Sequence, residues 1–441
     1  MQAASPGGPS ATTSSEAPPS ATVAPLSDEW CARHFDHVAP ELAQHLHETL
    51  ARMRTDHPVA RSEEHGGFWV VTGYEDVLRV AQDWRTFSSA HGVSVPETKM
   101  VVPAIPEHLD PPLHREYKRL INAFFTPAVV AEYEQPTRDL MTRLVDDVVE
   151  AGRCDFMADI ARPFPGLAFF DLVLGAPADR LAEINEMATS ASVPTNPDRG
   201  KAWQGMYAWI DEFVEARRQQ APRGDVVDAV IAAEIEGRPI GREEIIGVIQ
   251  LLVLGGLETT AGSLGQIMLR FCREPEIPAH LRRHPERIPD AVEELLRLEP
   301  PFIAIARTAM VDTEIGGRQI RAGDKVLIYW ASANRDEAEF ACPATFDLDR
   351  ESNRHLAFGA GPHRCAGSNL ARLNLRVALE EVLRRLDDIR LDSDGPVPFH
   401  SVLNRAPLTV PITFTPGARL GAPAATAPTR PDPPDPDATR G

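Results

Sequence analysis

The chain has 441 residues, more than one average domain, and 43% of them are hydrophobic, so it can bury a large core. Its formal net charge of −19 argues against a nucleic-acid-binding protein and against one that adsorbs to anionic lipid. The five cysteines are an odd number without paired spacing, which favours a reducing compartment over a disulfide framework. We therefore expect a cytoplasmic protein.

Both ends of the chain are poor in residues that build a core. Residues 1–28 are rich in Ala, Ser, Pro and Thr, without the basic and apolar regions of a secretory signal. No arginine precedes Arg33, which argues against a mitochondrial transit peptide. Residues 417–441 are rich in proline. We expect two disordered tails around a single domain at residues 29–416.

Helical patterns dominate between these tails. Strand-like segments occur at residues 68–72, 325–329 and 409–413. Strands towards the two ends of a long helical middle predict a mainly α fold with small β-sheets, an α+β arrangement rather than a doubly wound sheet. The longest apolar run, residues 245–257, contains Gln250 and is too short to span a bilayer, so we expect no membrane association.

A basic pair follows the stiff segment Asp110-Pro111-Pro112, after which a helix can begin. His114 and Lys118 are four residues apart and therefore share one helix face. From the residue types alone, this is a solvated basic face.

Two glycines, Gly255 and Gly256, interrupt an apolar helical segment that ends in Glu258 and Thr259. Each glycine costs about 1 kcal/mol in a helix interior relative to alanine, so something should compensate for it. One explanation is close contact with another helix. The other is a kink and a flat surface against which a ligand lies. In that case Glu258 and Thr259 could move protons at the edge of a dry pocket.

Two further segments carry patterns that are weak by themselves. Glu294 and Arg297 are three residues apart and can pair on a helix face, as many surface residues do. Residues 302–307 run from that helix into a strand, and their apolar side chains are by default part of the core.

Cys365 lies in a glycine-rich loop, Phe358-Gly359-Ala360-Gly361-Pro362-His363-Arg364-Cys365-Ala366-Gly367, which a helical pattern follows. A helix N-terminus supplies free N–H groups and a positive dipole, so we expect the thiol to lose its proton easily and to ligate a metal. The glycines allow a flat cofactor to approach the backbone. The spacing fits neither a dinucleotide-binding loop nor a zinc site. An isolated loop of this kind would more simply hold a buried structural cysteine.

The positions of Phe358, Gly359, Gly361, His363 and Gly367 around Cys365 resemble the haem-binding loop of the cytochrome P450 family. Five motifs in the family's order extend this resemblance over residues 30–415. It implies the cytochrome P450 fold with a long distal helix over haem b, and Cys365 as the axial ligand of the iron. The implied cofactor-binding residues are His114, Lys118, Arg307, His363, Phe358, Gly361 and Gly367. The family usually has Arg at the position of Lys118. A lysine can bind a propionate only as a point charge, without the bidentate geometry of arginine.

The resemblance assigns further roles. Glu258 and Thr259 match the acid–alcohol pair that relays protons during oxygen activation. The implied substrate pocket consists of Leu254, Gly255, Leu257, Phe302, Ile303 and Ile305. Three residues match a structural network that holds the cysteine loop: Glu294, Arg297 and Arg350. The segment Asn334-Arg335-Asp336 also matches a structural signature of the family.

The function that the resemblance implies is a monooxygenase that inserts one oxygen atom of dioxygen, most simply by hydroxylation, into an apolar small molecule. We expect a monomer with no fused flavin domain, which takes electrons from a separate ferredoxin and its reductase. A basic patch on the cysteine side would steer an acidic ferredoxin, unless its cations only balance propionates and local acids. Its members are Arg115, Lys118, Arg119, Arg364 and Arg372.

Other functions remain open. A haem-thiolate sensor or electron carrier would not need Glu258 and Thr259, and a peroxide-driven hydroxylase tends to lack such a pair. Unusual oxidations, such as ring coupling or nitration, are also compatible with the sequence.

Overall fold

The computed structural model describes residues 24–97, 100–192 and 196–421. Helices form most of it, as the sequence predicts. The α-helices are α1 (Asp28–Arg33), α2 (Pro40–Asp56), α3 (Tyr74–Gln82), α4 (Leu113–Asn122), α5 (Pro127–Ala131), α6 (Glu134–Val149), α7 (Pro163–Ala168), α8 (Leu181–Ser192), α9 (Arg199–Arg218), α10 (Val226–Ile231), α11 (Arg242–Arg273), α12 (Glu276–Arg283), α13 (Ile288–Leu298), α14 (Trp330–Ala333) and α15 (Ser368–Arg385).

The strands are short. They are β1 (Val59–Ser62), β2 (Phe68–Val71), β3 (Phe87–Ser88), β4 (Arg153–Asp155), β5 (Glu234–Ile235), β6 (Arg238–Pro239), β7 (Ala304–Ala309), β8 (Thr313–Ile315), β9 (Arg318–Ile320), β10 (Lys325–Tyr329), β11 (Asp387–Leu391), β12 (Phe399–Ser401), β13 (Arg405–Pro407) and β14 (Pro411–Thr415). The predicted strands at residues 68–72 and 325–329 are confirmed. The third begins two residues late, because the Val410 N–H donates to the Asp155 carboxylate.

The largest sheet joins distant parts of the chain in the order β1-β2-β10-β7-β3. Strand β10 runs parallel to β2 and antiparallel to β7. Its side chains alternate between two hydrophobic clusters, as the pleat of a strand requires: Val326 and Ile328 pack in one, Leu327 and Tyr329 in the other.

Helix α11 is the centre of the largest hydrophobic cluster. By length and composition this helix could cross a membrane, whereas the apolar run at residues 245–257 is by itself too short to do so. However, 67% of its most apolar window is buried inside the protein. The core helix of a soluble protein can have the same length and apolar composition.

The described chain extends past both predicted domain boundaries. Ser27 caps α1, since its hydroxyl accepts a hydrogen bond from the Trp30 N–H. At the other end, the Asp146 carboxylate accepts hydrogen bonds from the N–H groups of Leu420 and Gly421, at 2.9 and 3.0 Å. Residues just beyond the predicted limits of 29 and 416 thus make contacts with the fold, and the limits themselves stay a prediction. The rest of the predicted tails, residues 1–23 and 422–441, lies outside the described residues.

Candidate active site

The cysteine loop has the predicted form. The Cys365 N–H donates to the Phe358 carbonyl at 2.8 Å, which closes the loop, and α15 begins three residues after the cysteine. Gly359 and Gly361 have φ values of +67° and +69°, a conformation that favours glycine. The prediction of a glycine-rich loop that leads into a helix N-terminus is confirmed.

The predicted acidity of Cys365 is wrong for the protein alone. Burial raises the pKa of its thiol, although the charge of Lys118 and a hydrogen bond from the Gly367 N–H act in the opposite direction. Desolvation of the thiolate thus outweighs the helix terminus. The residue still keeps accessible surface. A bound cation at the sulfur would stabilise the thiolate that these neighbours do not.

Gly361 packs closely against α3. A Cβ atom at this position would lie 2.5 Å from the Ala81 carbonyl oxygen and 2.9 Å from the Gln82 Cα. The glycine therefore lets the loop pack on the end of α3, and its contact with a cofactor stays a prediction. A Cβ atom on Gly367 would meet nothing within 4 Å.

Basic side chains gather beside the loop. Arg307 is only 2% exposed, and burial lowers its pKa to about 10. Burial and then the charges of Arg307 and His114 lower the pKa of His363 to about 2. Its ring lies 4.3 Å from the His114 ring, centroid to centroid. Within the described chain, both buried nitrogens of His114 lack a hydrogen-bond partner.

This cluster fits the two carboxylates of haem b. Arg307 is the cation of this cluster at neutral pH, because the low pKa values of His114 and His363 leave both imidazoles neutral. No described carboxylate binds the Arg307 guanidinium, from which one nitrogen donates to the Ala306 carbonyl. A buried cation requires an anionic partner, and the unpaired His114 nitrogens require a polar one. Arginine and histidine donors beside a loop that carries a cysteine are the set that haem b needs.

Lys118 shares its helix face with His114, as predicted, and its side chain binds the backbone of the cysteine loop. Its Nζ donates to the Arg364 carbonyl at 2.6 Å, and burial lowers its pKa. That carbonyl belongs to the residue directly before Cys365. A contact of Lys118 with a propionate remains a prediction.

The two glycines of α11 have separate functions. A Cβ atom on Gly256 would lie 2.6 Å from the Phe169 ring, so this glycine allows close packing of helical segments. A Cβ atom on Gly255 would meet nothing within 4 Å, and the residue is exposed within a largely buried helix. Leu254, Glu258 and Thr259 are also partly accessible, so they and Gly255 form an open stripe of helical period. The helix is continuous, without the kink considered above.

Glu258 and Thr259 lie on this open stripe. The Thr259 hydroxyl donates to the Gly255 carbonyl at 3.0 Å. The Glu258 carboxylate accepts from the side-chain amide of Asn404 at 3.1 Å. Asn404 was not predicted from the sequence, because it is 146 residues away and no pattern links the two positions.

Three of the predicted pocket residues are buried and lie outside the open stripe: Leu257, Ile303 and Ile305. Leu257 is 3% exposed and faces Gly166 of α7. It follows Gly255 by two residues, which corresponds to a rotation of about 200° around the helix axis, so the two residues point in different directions. Ile303 and Ile305 are buried in the two hydrophobic clusters of the largest sheet. Phe302 is partly accessible and pairs with Asn404 through a β-bridge.

The sequence model of the cytochrome P450 family matches residues 170–407. Nocardicin C N-oxygenase from Nocardia uniformis subsp. tsuyamanensis is 36% identical over 388 residues, 85% of this chain and 96% of that protein. Steroid C26-monooxygenase from Mycolicibacterium smegmatis is 33% identical over 375 residues, 83% of this chain and 92% of that protein. The solved structure of cytochrome P450 CYP109Q5 from Chondromyces apiculatus has a TM-score of 0.79 at 32% identity, and covers 88% of this chain and 100% of that one. The chain belongs to the cytochrome P450 family.

The family confirms the predicted fold, cofactor and class of activity. This cytochrome P450 binds haem b and is a haem-thiolate monooxygenase that hydroxylates small molecules with dioxygen and electrons from a redox partner. Its relatives are named as monooxygenases, so the alternative of a sensor or carrier is set aside.

The buried network of the P450 forms as predicted around Glu294. Arg297 donates two hydrogen bonds of 2.8 Å to its carboxylate, and Arg350 approaches it at 3.3 Å. Arg297 also donates to the Asn334 carbonyl at 2.8 Å. The Asn334 side chain in turn accepts from the Leu356 N–H at 2.6 Å. The network thus reaches the segment that leads into the cysteine loop.

A second link to the loop begins at Glu293, which the sequence analysis did not assign although it adjoins Glu294. The Glu293 carboxylate accepts two hydrogen bonds from Arg372, at 2.7 and 2.8 Å. The Arg372 guanidinium lies 4.4 Å from the centroid of the Phe358 ring. Phe358 is thereby fixed next to Cys365.

The basic patch of this P450 is smaller than predicted. Arg372 is paired with Glu293, and Lys118 is directed to the loop carbonyl. Arg115, Arg119 and Arg364 are exposed, and none of them has an ion pair with a described residue. These three form the remaining patch.

Proposed function

We propose that Cys365 would ligate the haem iron as thiolate, and that the enzyme hydroxylates an apolar small molecule bound against the open stripe of α11. The observation that carries this assignment is the cluster beside the cysteine loop: the buried Arg307 cation, to which no described carboxylate is bound, with the neutral imidazoles of His114 and His363. A cysteine loop alone would fit a structural thiol, whereas the buried Arg307 cation needs an anion next to it.

The side chains hold the cofactor in complementary ways. Arg307, His114 and His363 would donate hydrogen bonds to the propionates, and Lys118 positions the backbone next to Cys365 through the Arg364 carbonyl. Phe358, clamped by Arg372, packs beside the sulfur. Gly367 leaves the helix N-terminus open, and its N–H donates to the Cys365 thiolate. Gly361 supports the loop from α3.

When bound, the haem supplies the activation of dioxygen, and thiolate ligation favours O–O cleavage. The protein delivers the protons. The Thr259 hydroxyl, which donates to the Gly255 carbonyl, can turn to donate from Oγ1 to a group bound against the open stripe. Glu258, the preceding residue of α11, replaces the lost proton, and Asn404 holds its carboxylate.

The substrate lies against Leu254, Gly255 and Phe302. These residues are apolar and partly accessible. The relatives are named for a steroid and for nocardicin C, so related chains act on different molecules. We propose an apolar substrate on the basis of the lining alone.

The electron donor in this proposal is a ferredoxin with its reductase, and the enzyme is a cytoplasmic monomer without membrane or nucleic-acid partners. An acidic ferredoxin would dock on Arg115, Arg119 and Arg364. Charge reversal by Arg115→Glu with Arg119→Glu should slow reduction, with a loss that shrinks as salt increases. Arg318→Glu, on an exposed strand elsewhere, is the matched control.

The haem ligand can be tested by spectroscopy. Reduced protein under carbon monoxide should show the long-wavelength band of thiolate-ligated haem. Cys365→Ala should lose this band, whereas Cys342→Ser, at another exposed cysteine, should keep it. A histidine-type spectrum, or purification without haem, would refute the assignment. A difference-spectrum screen of small molecules then identifies the substrate.

A further inference from the structure

The β12–β13 hairpin lies along α11. Its register pairs His400 with Ala406 and Ser401 with Arg405. Asn404 precedes β13, and its side chain is two positions from that of Ala406, so both occur on one side of an extended chain. Both contact α11: Asn404 donates to Glu258, and the Ala406 Cβ lies 3.3 Å from where a Cβ of Gly262 would be.

The helix presents matching positions to this hairpin. Glu258, Gly262 and Gln266 are four residues apart, so they follow one face of α11. Gly262 permits close contact, and the Gln266 side-chain oxygen accepts a hydrogen bond from Arg405 at 2.9 Å. Arg405 is buried. Two further contacts thus fix the hairpin, and Asn404 is held at a set distance from Glu258.

The chemistry of an amide suits a carboxyl group that gains and loses a proton. The Asn404 Nδ2 donates to the Glu258 carboxylate, while its buried Oδ1 has no hydrogen-bond partner among the described residues. If Glu258 is protonated, a half-turn of the amide lets Oδ1 accept the carboxyl O–H. A side chain that only donates or only accepts could bind one of these states.

We propose that Asn404 is the positioning residue for Glu258, holding the carboxyl group in place in both of its protonation states. This inference rests on the proposed role of Glu258 in proton delivery. Asn404 acts through Glu258 and also adjoins Phe302, so the same hairpin joins the substrate wall to the proton path.

The contact itself is tested without turnover, in the haem-loaded enzyme. Melting temperatures are measured for Asn404→Ala, Glu258→Ala and the double variant. The two single shifts should not add, because either change removes the same hydrogen bond. Ser401→Ala, on the same hairpin with a hydroxyl that bonds no described residue, should add to Glu258→Ala. Additive shifts for Asn404 and Glu258 would overturn the proposal.

The positioning role is tested during turnover. Asn404→Leu should keep the carbon monoxide spectrum, slow product formation by about 10²-fold and increase the solvent deuterium isotope effect, because Glu258 is misplaced. Asn404→Gln should recover part of the rate. If Glu258→Gln is slow but Asn404→Leu is not, this inference fails and the proposed function stands. If both variants turn over normally, the proton-delivery role and this inference fail together.

Discussion

Gly256 and Phe169 are in contact that leaves no room for a side chain on the glycine. A Cβ atom on Gly256 would lie 2.6 to 2.8 Å from three atoms of the Phe169 ring. The neighbouring residue, Gly255, has no such restriction. Two adjacent glycines of one helix thus serve packing on one face and open space on the other.

This difference predicts opposite effects of the same substitution. Gly256→Ala should lower the free energy of unfolding by about 1–3 kcal/mol through overpacking. Gly255→Ala should raise it by up to about 1 kcal/mol, since alanine favours a helix and meets no atom. Urea unfolding of both variants measures this. Phe169→Leu combined with Gly256→Ala should recover part of the loss; equal effects of the two alanines would contradict the assignment.

Arg297→Ala should destabilise the enzyme strongly. The residue is fully buried and bound to Glu294, so its removal leaves a buried carboxylate with too few partners, at about 3–5 kcal/mol. Haem content should fall, because the network reaches the cysteine loop. Arg218→Ala removes an exposed pair with Glu215 of the same i,i+3 spacing and should change stability by under about 1 kcal/mol. Melting temperature and haem content are measured for both variants. Equal effects would show that Arg297 and Glu294 form only an ordinary surface pair.

Thr259→Ala and Glu258→Gln should still bind haem and substrate, since neither residue contacts the Cys365 loop. Thr259→Ala should consume electrons and release hydrogen peroxide in place of product. Glu258→Gln should mainly slow turnover, by about 10²–10⁴-fold, because a positioned acid is lost. The measurement is electrons consumed, peroxide and product for each variant. If both variants form as much product per electron as the unchanged enzyme, Glu258 and Thr259 do not deliver protons and contribute only to packing.

His37 should make stability depend on pH. Burial lowers its pKa from the ordinary 6.5 to about 4, and its ring lies 2.6 Å from the Tyr329 hydroxyl. Between these values the unfolded chain binds a proton that the folded protein does not. Stability is therefore complete above pH 6.5 and falls as pH drops towards 4, by about 1.4 kcal/mol per pH unit. Urea unfolding from pH 7.5 to 5 should show a shallower fall in His37→Gln. Equal slopes would contradict the burial effect.

The sequence predicts well what depends on local spacing. The loop around Cys365, the shared face of His114 and Lys118, and the Glu294–Arg297 pair follow from short-range patterns, and the structure has each of them. The family resemblance added Arg350, whose contact with Glu294 spans 56 residues. Local patterns alone would have missed it.

The errors concern direction and burial, which spacing does not determine. Leu257 and Leu254 are both apolar residues of one helix, and only the packing of α7 shows that Leu257 is buried outside the open stripe. The acidity of Cys365 followed from the helix terminus, but desolvation in the folded protein outweighs it. Asn404 lies on a separate hairpin, so only the tertiary structure brings it to Glu258.

The parallel pairing of β2 with β10 places Trp69 opposite Val326. During synthesis, β1 and β2 leave the ribosome long before the strand that completes their sheet. Pairing over such a separation carries a large loop-closure cost and slows folding. The N-terminal strands must therefore remain without their partner until most of the chain has been made. Cys365 is translated after β10, so the cofactor can be captured only after every strand of this sheet has been made.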